Sequence, residues 1–396
     1  MRKGKLSVLL GAIAALALSA GASAGSAQAG TLYVTTTGHD APGCTQPAPC
    51  QTIAYAVAQA SAGATVSVAP GTYAESVTIG RDISLVGVHR PVINAAGLTN
   101  GIVLTGGGAA GATVSGFTVE HAIQEGILAE RTARLTISDN IVRDNDQGAG
   151  NPYATGECAA NRGAPGDCGE GLHLMTVSHA TVTGNTVEDN NGGILLSDEF
   201  GPTEANLIAR NRALNNPFAC GITLVGHNVH AVAGGRPAPR RGGVYDNRVL
   251  DNIAKGNGIK GQGGGILLAA GFAGSGVYSN VIEGNVANGN GLGGFTLHDH
   301  VGGQDFNGNL IIDNSFSHDA IHGWTSGAPG DSDIGITHTT GMIIFSVVTN
   351  LKGTVIRGNH FSREYYGIWM QKVPAVKKPA NTFAHSVTVD IFRQRG

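Results

Sequence analysis

Residues 171–196 read GLHLMTVSHATVTGNTVEDNNGGILL. The stretch opens on a Gly followed by alternating apolar residues (Leu172, Leu174), passes through Asn185 and Asn190, and returns to the same opening at Gly193-Ile-Leu-Leu. Apolar residues at every second position over so short a run describe a strand, since a helix would repeat them every third or fourth residue. The same phrase occurs nine times: at Gly101, Gly126, Gly171, Gly193, Gly221, Gly265, Gly294, Gly341 and Gly367. An Asn-x-apolar-x-x-Asn phrase follows most of them, at Asn140/Asn145, Asn185/Asn190, Asn211/Asn216, Asn247/Asn252, Asn280/Asn285 and Asn309/Asn314.

Asn tolerates left-handed backbone at a tight corner, and its amide can bond the amide of an identical residue one turn away. Stacked once per turn, such residues form a ladder. The intervals between the repeated glycines are 25, 45, 22, 28, 44, 29, 47 and 26 residues. Each long interval contains one clear Asn pair, so each is read as one coil plus an insertion of about 20 residues. The insertions fall near 146–169, 227–241 and 315–340 and are polar and rich in Gly and Pro. Short strands, tight corners and a period of 22–29 residues predict an all-β chain: a right-handed parallel β-helix of about ten coils, a rod roughly 50 Å long. Residues 51–61 carry helical apolar spacing (Ile53, Ala54, Val57, Ala58) and are expected to cap the N-terminal end. The tail from Lys372 is expected to close the other end, and residues 30–396 to form one continuous domain.

Composition agrees. Of 396 residues 62 are Gly and 14 Pro, and only 13% are charged, against about 25% in ordinary domains. A hydrophobic share of 41% is too high for a disordered chain, there is no G-X-Y period, and the one long apolar run is N-terminal. Collagen and a helical membrane bundle are therefore excluded. That run (Leu6–Leu18) follows Arg2, Lys3 and Lys5 and precedes Ala27-Gln28-Ala29, which predicts a secretory signal at 1–29 and a secreted protein. Its removal takes the formal charge from -3 to -6, which argues against nucleic acid as a partner. Export makes disulfides the expectation: Cys44 with Cys50, and Cys158 with Cys168, each closing a small local ring, with Cys220 left as a buried thiol.

The segment Gly63-Ala-Thr-Val-Ser-Val-Ala-Pro-Gly-Thr-Tyr-Ala-Glu-Ser-Val77 resembles the opening coil of the pectin-lyase-like superfamily. The later Gly/Asn repeats are similar to its broad family of carbohydrate-binding and sugar-hydrolysing β-helices, which includes the periplasmic copper-maturation proteins. The resemblance covers nearly all of residues 30–396 and implies a polysaccharide or oligosaccharide partner and lyase, hydrolase, esterase or epimerase chemistry. Familiar active-site motifs of that superfamily are absent: no Asn-Thr-Asp, Gly-His-Gly and Arg-Ile-Lys set, no Tyr-Gly-x-Asp-Pro-His, no Asp-Phe-Ile-Phe-Gly. His298-Asp299-His300 is loosely similar to the Ile-Asp-His of pectate lyases.

The repeat supplies a geometry for the remaining polar residues. With each Gly as position zero, positions one and three point inward, and two and four outward. The outward rows are mostly apolar, so a polar residue there stands out. His298, Asp299 and His300, with Asp319 and His322 from the following insertion, are the leading candidates for catalysis. If the strand continues, His298 and His300 face one way and suit a metal; if it turns, Asp299 orients one imidazole. Asp331-Ser-Asp333 has a spacing that can hold Ca²⁺. A second candidate set, for substrate binding, is Asp198, Glu199 and His227 on neighbouring coils, with Arg240 and Arg241 facing an acidic sugar. Asp198 and Asp299 lie three coils apart, about 14 Å, too far to act as paired carboxylates. His173 reads as a surface residue. The expected function is a secreted polysaccharide lyase, hydrolase or epimerase binding its glycan along the flank of the rod. The alternatives are a non-catalytic glycan-binding surface protein and a metal-handling protein like the copper-maturation relatives.

Overall fold

The computed structural model describes residues 30–145, 169–260, 263–299, 301–323, 335–345, 351–371 and 380–394. Short strands stack in parallel into three long sheets that face a common core. Two sheets have 11 strands each, running from Thr31–Val34 to Val355–Arg357 and from Thr72–Tyr73 to Thr382–Phe383. The third, with 14 strands, is the flank that carries the repeated Gly phrase. Its main column runs through Ile102–Thr105, Ile127–Ala133, Glu170–Ser178, Gly192–Ser197, Ile222–Gly226, Ile266–Ala270, Phe295–Asp299, Thr340–Phe345, Tyr366–Gln371 and Val389–Gln394. The architecture is a parallel β-helix.

Alternation sets what is buried. Ile127 and Ala129, Leu172 and Leu174, Ile194 and Leu196, and Ile222 and Leu224 all point into one continuous core. Phe316, Phe361 and Phe383 stack through it with centroids 5.3 and 5.1 Å apart. Each fully buried aliphatic side chain contributes about 1.5–3 kcal/mol. The outward four-position row pairs through Thr105, Glu130, Met175, Ser197, Val225, Ala269, His298, Phe345 and Gln371, as the phrase spacing requires.

The corners explain both the Gly and the Asn. A Cβ on Gly171 would collide with Val187 and come within 2.6 Å of Asn190 Nδ2, so the phrase must open on Gly. Asn140, Asn185, Asn211, Asn252, Asn285, Asn314 and Asn359 form one ladder, in which each Oδ1 accepts the backbone N–H and the Nδ2 of the preceding member. A second runs through Asn145, Asn190, Asn216, Asn257 and Asn290, and a third through Asn206, Asn247, Asn280 and Asn309. The left-handed backbone falls one residue before the ladder Asn, for example at Asp139, Asp189 and Asp251. The ladder position itself is chosen for its amide.

The helix Ile53–Gln59 is capped by Thr52 Oγ1 and packs Ile53, Ala56 and Val57 into the core beside the first strands. Cys44 and Cys50 are joined, with Cα atoms 4.8 Å apart. Cys220 is buried and its Sγ accepts the Gly264 N–H. Ser315–Ser317 is a regular strand of the second sheet, so the departure from the coil begins after it. The expected signal at 1–29, the pair Cys158 and Cys168, His300, Asp331 and Asp333 lie outside the described residues. No described helix is long and apolar enough to cross a membrane.

Candidate functional site

Four coils of the flank bring polar side chains to its outer face. Glu125 and Glu170 each stand two residues before the paired Ile127 and Leu172, so they stack on adjacent coils. His173, the outward neighbour of Leu172, lies between Leu128 and Leu195 in register and is 2% exposed. Its expected surface position is therefore wrong: the adjoining coils cover the ring, and burying an imidazole requires partners for its nitrogens. Nδ1 lies 3.4 Å from Glu125 Oε1, and Nε2 lies 2.7 Å from Ser197 Oγ. One carboxylate oxygen each of Glu125 and Glu170 and one ring nitrogen of His173 all fall within 4.8 Å of one another.

The chain of contacts continues. Ser197 Oγ donates to Glu199 Oε2 at 2.6 Å, and His227 Nδ1 meets Glu199 Oε1 at 2.7 Å. Burial pushes the Glu199 carboxyl up, but the His227 hydrogen bond and charge, with help from His173 and Ser197, outweigh it and hold it at about 2. Glu199 is thus an ionised acceptor. A carboxylate that only accepts fixes the protons around it: Nδ1–H on His227 and O–H on Ser197.

Asp198 has a different task. Oδ1 accepts the backbone N–H of His227 at 2.6 Å and of Asn228 at 3.0 Å, while Oδ2 accepts that of Gly243. One fully buried carboxylate therefore ties both ends of the 227–241 insertion to the flank. Within that insertion Val232–Ala233 and Arg236–Pro237 pair antiparallel across Gly234 and Gly235, both with positive φ, as a two-residue hairpin demands. Arg240 and Arg241 are exposed on this insertion. Beside Glu199, Phe200 is 57% exposed and the Arg131 guanidinium sits 4.1 Å above its ring.

Among the described residues, His298 and Asp319 are not brought together. His298 and Asp299 end their strand, whereas Asp319 packs against Gly294 at its start, about 13 Å of extended chain away. Asp319 occupies a ladder position. Its Oδ1 accepts N–H and Nδ2 from Asn290, Oδ2 accepts Ser317 N–H, and its own N–H donates to Glu364 Oε1. Burial raises its pKa to about 7; burial and then the Asp319 charge raise that of Glu364 to about 9. An acid–base part for Asp319 alongside His298 does not fit this placement, because both its oxygens serve the corner. His322 is exposed, and His338 packs on Tyr365 with centroids 4.1 Å apart.

Sequence reasoning missed Glu125, in the corner before its strand, and Glu170, the first residue of its own; both fall outside the outward rows. A family described as right-handed beta helix region matches residues 92–236, the part of the chain that contains this cluster. No curated protein matches the chain in sequence. Among solved structures it is similar to the A-module of a mannuronan C-5 epimerase from Azotobacter vinelandii (14% identity, TM-score 0.49, 86% of this chain and 90% of that one). It is similar also to a DFA-IIIase from Arthrobacter chlorophenolicus (12%, 0.48, 90% and 86%) and to an alginate lyase from Paenibacillus (14%, 0.44, 92% and 98%). At such identities the likeness is one of fold.

Proposed function

We propose that this is a secreted carbohydrate-active β-helix that binds an extended polysaccharide along its flank and processes it by proton transfer at the Glu199–His227 end of the cluster. The observation that carries the reading is the continuous relay Glu125–His173–Ser197–Glu199–His227, built on neighbouring coils of an apolar flank. Ionised Glu199 holds the His227 proton on Nδ1, and this pair supplies the acid–base chemistry. In a lyase or epimerase it takes the proton beside the uronate carboxyl; in a hydrolase it activates water. Phe200 offers a stacking platform at the rim, and Arg131, Arg240 and Arg241 meet acidic groups on the sugar. The apolar leader and the Cys44–Cys50 bridge support export.

The test is to incubate the purified protein with uronate-containing and neutral polysaccharides. Near-ultraviolet absorbance reports unsaturated lyase products, reducing ends report hydrolysis, and proton NMR reports inverted C5 centres. Turnover that collapses in Glu199→Gln supports the reading; a protein that neither binds nor turns over any glycan sinks it. A second reading, glycan binding without turnover, is favoured by the burial of Glu125, Glu170 and His173, all 5% exposed or less. Binding with every product assay silent would select it.

A further inference from the structure

We infer that Glu125, Glu170 and His173 Nδ1 form a three-ligand site for a borderline divalent cation, with Zn²⁺ as the reference ion. The inference rests on the proposed working site for its purpose but not for binding itself. It follows from proton accounting along the relay. The Ser197 hydroxyl donates to Glu199 Oε2 at 2.6 Å. Ser197 has one proton and has given it to Glu199, so the 2.7 Å contact with His173 Nε2 must be donated by the imidazole. Nδ1 is then the ring nitrogen turned toward the carboxylates. It faces Glu125 Oε1 at 3.4 Å, and Glu170 belongs to the same 4.8 Å cluster.

Three electron-pair donors thus converge at a site where every member is at least 95% buried. Two buried carboxylates beside an imidazole favour a positive charge held among them. A cation at about 2.0–2.2 Å from each donor requires donors about 3.4 Å apart, the separation already found between Nδ1 and Glu125. The other ring nitrogen donates outward to Ser197, which is bonded in turn to a carboxylate, the arrangement that sets the tautomer and orientation of a metal-bound His. An imidazole with two carboxylates suits Zn²⁺ or Mn²⁺ rather than Ca²⁺, which takes oxygen ligands. Three protein ligands leave a fourth position for water or a substrate oxygen.

The experiment uses the tag-free exported chain, stripped with chelator and then dialysed against Zn²⁺, with metal counted by plasma emission. One Zn²⁺ per chain is expected, retained in excess Ca²⁺. Glu125→Gln and His173→Gln should each weaken binding more than tenfold, and Ser197→Ala by about tenfold. Circular dichroism identifies a variant that fails to fold. In that case Glu125→Gln, which removes charge without volume, decides the matter alone. No stoichiometric uptake by the unaltered chain, or uptake that survives Glu125→Gln, overturns the inference. Zn²⁺ bound without glycan turnover would count against the proposed function only. Turnover by a chain that takes up no Zn²⁺ would count against the metal site only.

Discussion

Glu199, half-buried on the flank, and Asp319, fully buried in a corner, are acidic residues of the same rod that are treated in opposite ways. On the flank, His227 and the Ser197 hydroxyl overcome desolvation and keep Glu199 ionised, at about 2. In the ladder, Asp319 has only amide donors and the carboxyl of Glu364 nearby, and desolvation prevails, at about 7. The difference teaches that burial alone does not decide whether a carboxylate does chemistry. An imidazole from the next coil and a hydroxyl two residues away make it a working group; an amide partner makes it a substitute for Asn.

The comparison can be broken most severely at the flank. Glu199→Gln should cost about 10³-fold in glycan turnover, whereas His298→Ala should change it by less than about twofold. Equal losses in both variants, measured as initial rates, would erase the distinction between the two regions. Next in size is Asp198→Ala, which leaves the N–H groups of His227, Asn228 and Gly243 without their acceptor. Destabilisation of about 3 kcal/mol is expected in urea titration, with faster amide exchange confined to residues 227–243. An unchanged midpoint would mean that the insertion is held by something other than this carboxylate.

The pH dependence sharpens the contrast because the signs differ. The Asp319 pKa is raised from 3.8 to about 7, so its contribution to stability is complete below about 3.8 and is lost as pH rises through 7. Glu199 is lowered from 4.5 to about 2, so its contribution is present above 4.5 and lost as pH falls through 2. Hydrogen exchange should therefore show the strand Ser315–Ser317 loosening from pH 4 to 8 and the strand Gly192–Ser197 loosening from pH 4 to 2. Asp319→Asn should abolish the first effect and gain about 1–2 kcal/mol at pH 8, since its amide can donate to Glu364. A variant whose exchange still accelerates above pH 6 would assign the titration elsewhere. The smallest effect belongs to Phe200→Ala: about 1 kcal/mol of glycan affinity, roughly fivefold, with no change in melting temperature because the ring is exposed. Titration calorimetry on the glycan that is bound would detect it.

The architecture and the inward and outward rows were legible in the sequence because they follow from period two and from repetition. A Gly that must clear a neighbouring Asn amide, and an Asn that must bond the next coil, recur wherever a coil closes, so local spacing encodes a long-range stack. Ser197 and His298 fall in one row for the same reason. What repetition does not encode is which polar residues meet across irregular corners. Glu125 and Glu170 lie just before the repeated Gly phrase, and only the stacking of adjacent coils brings Glu125 to Glu170 and His173. Asp319 looked like chemistry beside His298 in sequence and proved to be a rung of the ladder at the far end of the strand. The chain by itself determined the rod, because its interactions repeat at fixed spacing. The tertiary structure decided the site, because the environment of a carboxylate is set by residues 28 to 48 positions away on the next turn of the helix.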